Sequence, residues 1–399
     1  MPLESFSQGI VSRAVAEIFK FLADPNVVLK TSRDIFTNAN NEVIQDLILS
    51  ITKRAIRAMS TYLGHAPEIY DAVYKSGPNQ DAIKYILKER AQLVQFLIDL
   101  VEPAKRFATS DSVNGNPAGG NQRNRFNELD LHDAMNRYAM VCQAQRLVKS
   151  LVIIFKKGSP GETFDTLNMD TTLEHDVPAI IESTKKDTPF PEEWFFINGI
   201  GGEPHWVKAA CERLADHFGR QVTGVFNRSE GLLWDLVECS GERSPTGGQS
   251  DLVERTQSSK SAQNILKEKL KAATAKKVVL IAHSQGCLVT RLVLQELVNE
   301  ENEDLLARLR VFTFGNPSYD WKFPIPLMEH FHNEKDFVAK LGIGSDARGD
   351  MYDGTIFRNP SWPGHLFCAQ YSLDPGDYDT PDSKLLACFD GTNARPLSF

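Results

Sequence analysis

The stretch Lys276–Leu297, KKVVLIAHSQGCLVTRLVLQEL, changes its grammar in the middle. Five consecutive apolar residues, Val278 to Ala282, suit a strand buried on both faces. From Gly286 onward the apolar residues recur at helical spacing. Only His283, Ser284 and Gln285 stand between, so the chain must pass from strand to helix at a sharp corner on the serine. Ala282 and Gly286, two residues before and two after, are small, as a turn with backbone close on both sides demands. The stretch therefore reads as strand, nucleophile elbow and helix.

Outward from this corner the pattern repeats. Short apolar runs at Trp194–Asn198, Gln221–Asn227, Lys277–His283, Arg310–Asn316, Glu329–Asn333 and Gly354–Arg358 read as strands. Helical segments at Pro204–Phe218, Asp251–Ala273 and Gly286–Val298 fall between them. Alternation of this kind predicts an α/β fold, a mostly parallel sheet flanked by helices. The first part of the chain differs. Val11, Val15, Ile18 and Leu22 form an apolar stripe at steps of three and four, and similar stripes run from Ile44 to Tyr62 and from Ile83 to Ile98. A Gly/Asn/Ser-rich connection, Thr109–Asn124, precedes a fourth stripe through Leu131, Met135, Tyr138 and Val141. The expected organisation is an all-helical N-terminal region, 1–158, before an α/β catalytic domain, 159–399. That helical region has three readings: a cap over the domain, a surface for a partner protein or a membrane, or an enlargement of the core.

Composition narrows the function. Of 399 residues, 42% are hydrophobic and 24% charged, an ordinary globular balance. A formal net charge of -8 supplies no broad basic surface for nucleic acid. The six cysteines are scattered without a Cys-x-x-Cys pair, so neither zinc nor a disulfide framework is indicated. Glu4, Arg13, Glu17 and Lys20 interrupt the N-terminal apolar residues, against a secretory signal. The longest apolar runs, Leu151–Phe155 among them, are far too short to cross a bilayer. A soluble, cytoplasmic protein is expected. No P-loop, dinucleotide fingerprint or His-Glu-x-x-His helix occurs.

A serine hydroxyl becomes a nucleophile when an imidazole held by a carboxylate removes its proton. In hydrolases with an elbow of this kind the chain order is serine, acid, histidine. Asp336 follows a predicted strand, and His365 lies in the Pro/Gly loop NPSWPGHLF. Asp350 and Asp353 are rival acids, since both also fall between Ser284 and His365; Asp336 ranks first for its strand-end position. His283 points along the strand and reads as a core residue, and His330 and His332 share a strand face where structural roles are expected. The oxyanion of acyl transfer needs two N–H donors. One is that of Gln285, after the nucleophile. The other comes from the loop FFINGIGG, where Ile200 is the chosen donor, with Gly199 and Gly201 beside it. Asn227, after the second strand, is a candidate for the rim of the substrate pocket.

These motifs resemble those of lipases and esterases of the α/β-hydrolase superfamily. INGIGG is similar to the His-Gly oxyanion motif of small bacterial lipases, with Asn198 where histidine is common, and AHSQG to their nucleophile motif. TFGNP and NEKDFVAKLG resemble the segments around the acid in class 3-type lipases. The resemblance spans roughly Glu192 to Tyr371. It implies the α/β-hydrolase fold and hydrolysis of carboxylic esters, small-molecule or lipid, by Ser284, Asp336 and His365 with no cofactor and no metal. Thioesterases and acyltransferases share the same parts. The contrasting expectation is an inactive module that binds lipid or protein.

Overall fold

The computed structural model describes residues 125–130, 133–136, 138–139, 143, 178–184, 190–228, 257–345, 350–362, 364–380, 382–389 and 393–398. The predicted helical stripes up to Ile98, the Thr109–Asn124 connection and the run at Leu151 lie outside the described residues.

Seven strands form one sheet: β1 (Ile180–Glu182), β2 (Glu192–Ile197), β3 (Val222–Val225), β4 (Lys277–His283), β5 (Leu309–Phe314), β6 (Leu327–Asn333) and β7 (Thr355–Asn359). Their spatial order is β1-β3-β2-β4-β5-β6-β7. Every neighbouring pair is parallel except β1 with β3. The helices are α1 (Pro204–Phe218), α2 (Gln257–Ala272), α3 (Gln285–Asn299), the short α4 (Glu303–Arg308) and the single turn α5 (Phe367–Gln370). This is the α/β-hydrolase fold, with helices on both faces of a mostly parallel sheet.

The apolar runs explain the layering. Along β4, Val278, Leu280 and Ala282 join one core with α2 and α3, while Val279 and Ile281 join a second core with α1 and the C-terminal turns. Successive side chains point to opposite faces, so a strand covered on both sides must be apolar at every position. α1 begins at Pro204, whose fixed φ suits a first helical turn, and stops at Gly219 in the left-handed conformation, φ 67. Its bounds match the sequence expectation. β1 and α4 were not anticipated. β1 is three residues long, held by pairing with β3 rather than by any pattern of its own.

The order of the strands fixes where the site can lie. From β2 the chain crosses to β3 on one side, returns over β2 through α2 to β4, then continues outward to β5, β6 and β7. The direction of winding therefore reverses between β2 and β4, where Ile197, the last residue of β2, pairs in register with Ala282, the residue before the end of β4. In open α/β sheets, sites form outside the carboxyl ends of the strands at such a reversal. INGIGG leaves β2 there, and HSQG leaves β4.

The amino ends of the strands are tied off by charge. Arg220 and Glu192 form an ion pair 2.9 Å long with each side chain 1% exposed. The guanidinium also donates to the carbonyls of Phe218 and Arg395 and lies over the rings of Phe190 and Trp194. The Glu192 carboxylate takes further bonds from Trp194 Nε1 and the Leu397 amide. No helix among the described residues is long and apolar enough to cross a membrane. Arg220→Met strands the Glu192 charge in the interior, so we expect urea unfolding to report a loss of about 3–5 kcal/mol; a loss below about 1 kcal/mol is the size expected of an exposed pair and would count against that role.

Candidate active site

Ser284 has φ 57 and ψ -128, a left-handed backbone that residues with a β-carbon rarely adopt. Its amide donates to Phe314 O of β5 and its carbonyl accepts from the Cys287 amide. The two bonds bind the corner to the sheet on one side and to α3 on the other. Space for the corner comes from glycine. A β-carbon on Gly286 would lie 2.6 Å from Asn198 O, and one on Gly199 would lie 2.1 Å from Ser284 Cβ. Ala282, where glycine is usual in such motifs, keeps its methyl inside the core beneath α3.

The Ser284 hydroxyl lies 2.6 Å from His365 Nε2, and His365 Nδ1 lies 2.7 Å from Asp336 Oδ2. All three side chains are buried. Because an ionised carboxylate only accepts, the ring proton sits on Nδ1, and Nε2 presents its lone pair to the hydroxyl. Asp336 Oδ1 accepts the amides of Val338 at 2.8 Å and Ala339 at 3.1 Å. Tyr371 donates its phenol to Oδ2 at 2.6 Å. Of the rival acids, Asp350 is exposed, and Asp353 precedes β7 at the opposite, amino end of the strands. The carbonyl of Asp353 accepts from His330 Nε2, whose ring also takes the Thr313 hydroxyl on Nδ1. Burial pushes the His330 imidazole down to about 4, so it stays neutral as a strut between β5, β6 and the strand-start loop.

Residues 364–371 carry His365 and are gripped from several directions. Gln370 Oε1 accepts the amides of His365 and Leu366. Asn333 at the end of β6 donates to Gly364 O and Gln370 O. Arg213 of α1 donates to Phe367 O and Tyr371 O. Glu128, from the N-terminal part of the chain, accepts the amides of Cys368 at 3.0 Å and Ala369 at 2.7 Å. His283 sits with its ring 4.8 Å from that of His365 and its Nε2 2.7 Å from His365 O. Burial, then the neighbouring His365, hold the His283 imidazole well below its ordinary range, so it donates to that carbonyl as a neutral ring. Gly315 has φ 61, and a β-carbon there would come 2.7 Å from the Tyr371 hydroxyl and 3.0 Å from Asp336 Oδ2.

A chain of amides joins the two segments expected to supply N–H donors. Asn198 Nδ2 donates to Gly199 O and Asn227 O, and Asn198 Oδ1 accepts the Asn227 amide. Asn227 Nδ2 donates to Gln285 Oε1 at 2.8 Å. Asn227, expected at a pocket rim, is thus only 2% exposed, with its side chain committed to Gln285. Ile200 packs its side chain into the core beneath α3, and Gly201 follows with φ 63. Among the described residues no group of three or more His, Cys, Asp and Glu is placed to hold a metal ion. Residues 229–256, which follow Asn227 in the chain, lie outside the described residues.

No protein-family profile matches the chain. No curated protein matches it in sequence. Among solved structures it is similar to XC6422 of Xanthomonas campestris, described as an a/b serine hydrolase without lid, at 15% identity and a TM-score of 0.28, covering 46% of this chain and 78% of the other. It is similar also to the esterase Est22, at 12% identity and a TM-score of 0.30 over 47% and 68% of the two chains. A bacterial heroin esterase follows at 12% and 0.29 over 45% and 68%. Values of this size carry no inference about activity, so any functional reading rests on the geometry above.

Several of these residues left no usable signal in the sequence. Glu128 lies 240 residues before its partner Cys368. Gln370, Asn333 and Arg213 act through backbone carbonyls or amides, contacts that no periodicity reports. Gly315 lies inside the strand expected at Arg310–Asn316, but β5 ends at Phe314, and only the fold shows what the glycine makes room for. Burial raises the Glu128 carboxyl above its ordinary value, outweighing the two amides and Arg213. Since its folded value exceeds its unfolded one, the stability it contributes is fully present below the unfolded value and is lost as pH rises through the folded one. Glu128→Gln should therefore flatten that part of the stability profile, measured by urea unfolding at a series of pH values; a profile parallel to the wild type would show that Glu128 does not titrate in this way.

Proposed function

We propose that the protein is a serine hydrolase that cleaves carboxylic esters, small-molecule or lipid, through an acyl-enzyme intermediate. The observation that carries this reading is a single imidazole, His365, bridging the hydroxyl of a strained serine and a fully buried carboxylate. In this reaction Ser284 Oγ attacks the ester carbonyl while His365 Nε2 takes its proton, and Asp336 stabilises the imidazolium that forms. His365 then returns the proton to the leaving alcohol. Water, deprotonated by the same nitrogen, attacks the acyl carbonyl, and the proton goes back to Ser284 as the acid leaves.

The tetrahedral oxyanion is assigned to the amides of Gln285 and Ile200. Gln285 begins α3, where first-turn N–H groups have no carbonyl within the helix and the helix dipole favours negative charge. The Asn198–Asn227–Gln285 chain holds that end of the helix against the INGIGG loop. Neither the triad nor this amide pair calls for a cofactor or a metal. A cytoplasmic setting is part of the same proposal, and the N-terminal region is left open to contacts with a membrane surface or a protein. The triad would accept thioesters as well, and an alcohol could replace water as acyl acceptor.

Three measurements test this. A fluorophosphonate probe should label the wild type and leave folded Ser284→Ala unlabelled, with the modified peptide containing Ser284; absence of labelling on folded wild type favours the inactive lipid-binding or protein-binding module. Asp336→Asn should lower turnover of p-nitrophenyl esters by roughly four orders of magnitude, whereas near-wild-type turnover would remove Asp336 from the role. Asn227→Ala should reduce kcat roughly tenfold or more with KM little changed, because the loss falls on preorganisation of the oxyanion donors. A change confined to KM would instead place Asn227 in substrate binding.

A further inference from the structure

We infer that Tyr371 is a positioning residue of the triad: its phenol and His365 bind the same oxygen of Asp336, and the phenol fixes that carboxylate while moderating the charge it presents to the imidazole. The inference rests on the reading of Ser284, Asp336 and His365 as a triad.

Asp336 has no exposed surface, and each of its acceptor positions is used. Oδ1 takes two amides from the turn that follows it, Val338 and Ala339. Oδ2 takes His365 Nδ1 at 2.7 Å and the Tyr371 hydroxyl at 2.6 Å. A distance of that size belongs to charge-assisted O–H···O⁻ bonds. Two amides alone would leave the carboxylate free to tilt about its Cβ–Cγ bond; a donor on each side of Oδ2 leaves one orientation that satisfies both. The phenol cannot give its proton away, since burial and then the Asp336 charge raise the Tyr371 hydroxyl far above its ordinary range. It is a permanent neutral donor.

The architecture is specific to this arrangement. His365 and Tyr371 stand at the two ends of one gripped turn, so their convergence on one atom is set by backbone held through Gln370, Asn333 and Arg213. The Tyr371 ring is wedged edge-on against Phe314 and His283. Gly315 supplies the room in which hydroxyl, carboxylate and imidazole meet.

The consequence for chemistry has a sign. Charge drawn toward the phenol is charge not available to hold a proton on His365, so removing the hydroxyl strengthens the imidazolium and moves the acidic limb of the kcat/KM profile to higher pH. Simple loosening of the site does the opposite, since a poorly held carboxylate stabilises the imidazolium less. The other titratable or charged groups around His365 are His283 on its ring face, His332 near Asp336, and Arg213 and Glu128 behind the turn. All of them are retained in a Tyr371 variant.

The test uses the full chain. Tyr371→Phe is expected to lower kcat on a p-nitrophenyl ester about ten- to hundredfold with KM within about twofold, and to move the acidic limb upward. Replacement of Tyr371 by 3-fluorotyrosine, nearly isosteric and a stronger donor, should move the limb the other way. That second variant keeps the ring and the hydroxyl, so it serves also if Tyr371→Phe does not fold. A folded, active Tyr371→Phe whose limb is unmoved or shifted downward, or a fluorotyrosine enzyme identical to wild type in profile, overturns the positioning role while leaving the triad standing. Wild type that neither hydrolyses ester nor takes the fluorophosphonate probe removes the triad reading, and this inference falls with it.

Discussion

The whole site hangs from one strained peptide unit. Ser284 carries a β-carbon at φ 57, a conformation that costs on the order of 1–3 kcal/mol and persists only where its surroundings over-determine it. Here they do. Ala282 is paired in register with Ile197 on one side and Thr313 on the other, the Ser284 amide is bonded to β5, and α3 starts at the next residue. The strain is useful because it throws the hydroxyl clear of the strand and onto His365 Nε2, at the end of the sheet where the winding reverses. It is feasible because Gly199 and Gly286 carry no side chain at the points of closest approach.

Given that corner, what distinguishes His365 from the other buried histidines is its partner rather than its burial. His283, His330 and His365 are all at 5% exposure or less. His283 spends its Nε2 proton on a backbone carbonyl, and His330 lies between a hydroxyl and a carbonyl. Neither faces a carboxylate, and burial pushes both imidazoles downward. His365 alone of the three is backed by an anion, and that anion is saturated by four donors. The task of each ring is thus set by its hydrogen-bond partners, which residue type does not encode. The same logic assigns His283 a structural task, as a neutral ring packed on His365 and bonded to its carbonyl.

Sequence was most informative where backbone geometry itself demands a residue type. The strand–serine–helix corner, the small residues around it, the glycines of INGIGG and the helix from Pro204 to Phe218 all leave local signatures, and each lies where those signatures put it. Asp336 was harder: six aspartates lie between Ser284 and His365, and its strand-end position ranked it above Asp350 and Asp353 without showing which of them folding brings to the imidazole. β6 delivers Asp336 to His365 just past the carboxyl end of the strand, whereas Asp353 arrives before β7 has begun. Tyr371, Gln370, Asn333, Arg213 and Glu128 were invisible for a different reason. The Gln370 side chain bonds to amides four and five residues away, and the bonds of the others join segments far apart in the chain; these bonds end on backbone atoms or on a carboxylate already assigned to another task. β1 and α4 escaped because short elements take their form from neighbours.

Those unseen contacts bear on how the chain is divided. The described residues between 125 and 143 dock on α1: Arg125 pairs with Asp216, Trp206 Nε1 donates to Asn136, and Gln143 donates to Glu203. Leu129 and Ala139 are buried there. From the same segment Glu128 reaches the amides of Cys368 and Ala369, three and four residues past His365. Amides buried without an acceptor cost about 1–3 kcal/mol each, so a fragment starting at 159 would leave the histidine turn carrying that cost on two groups at once. Arg213 holds the carbonyls of the same turn and Glu128 its amides. The imidazole therefore owes its position to a helix of the sheet domain and to a segment that precedes the sheet, and separating the two would be felt at the serine.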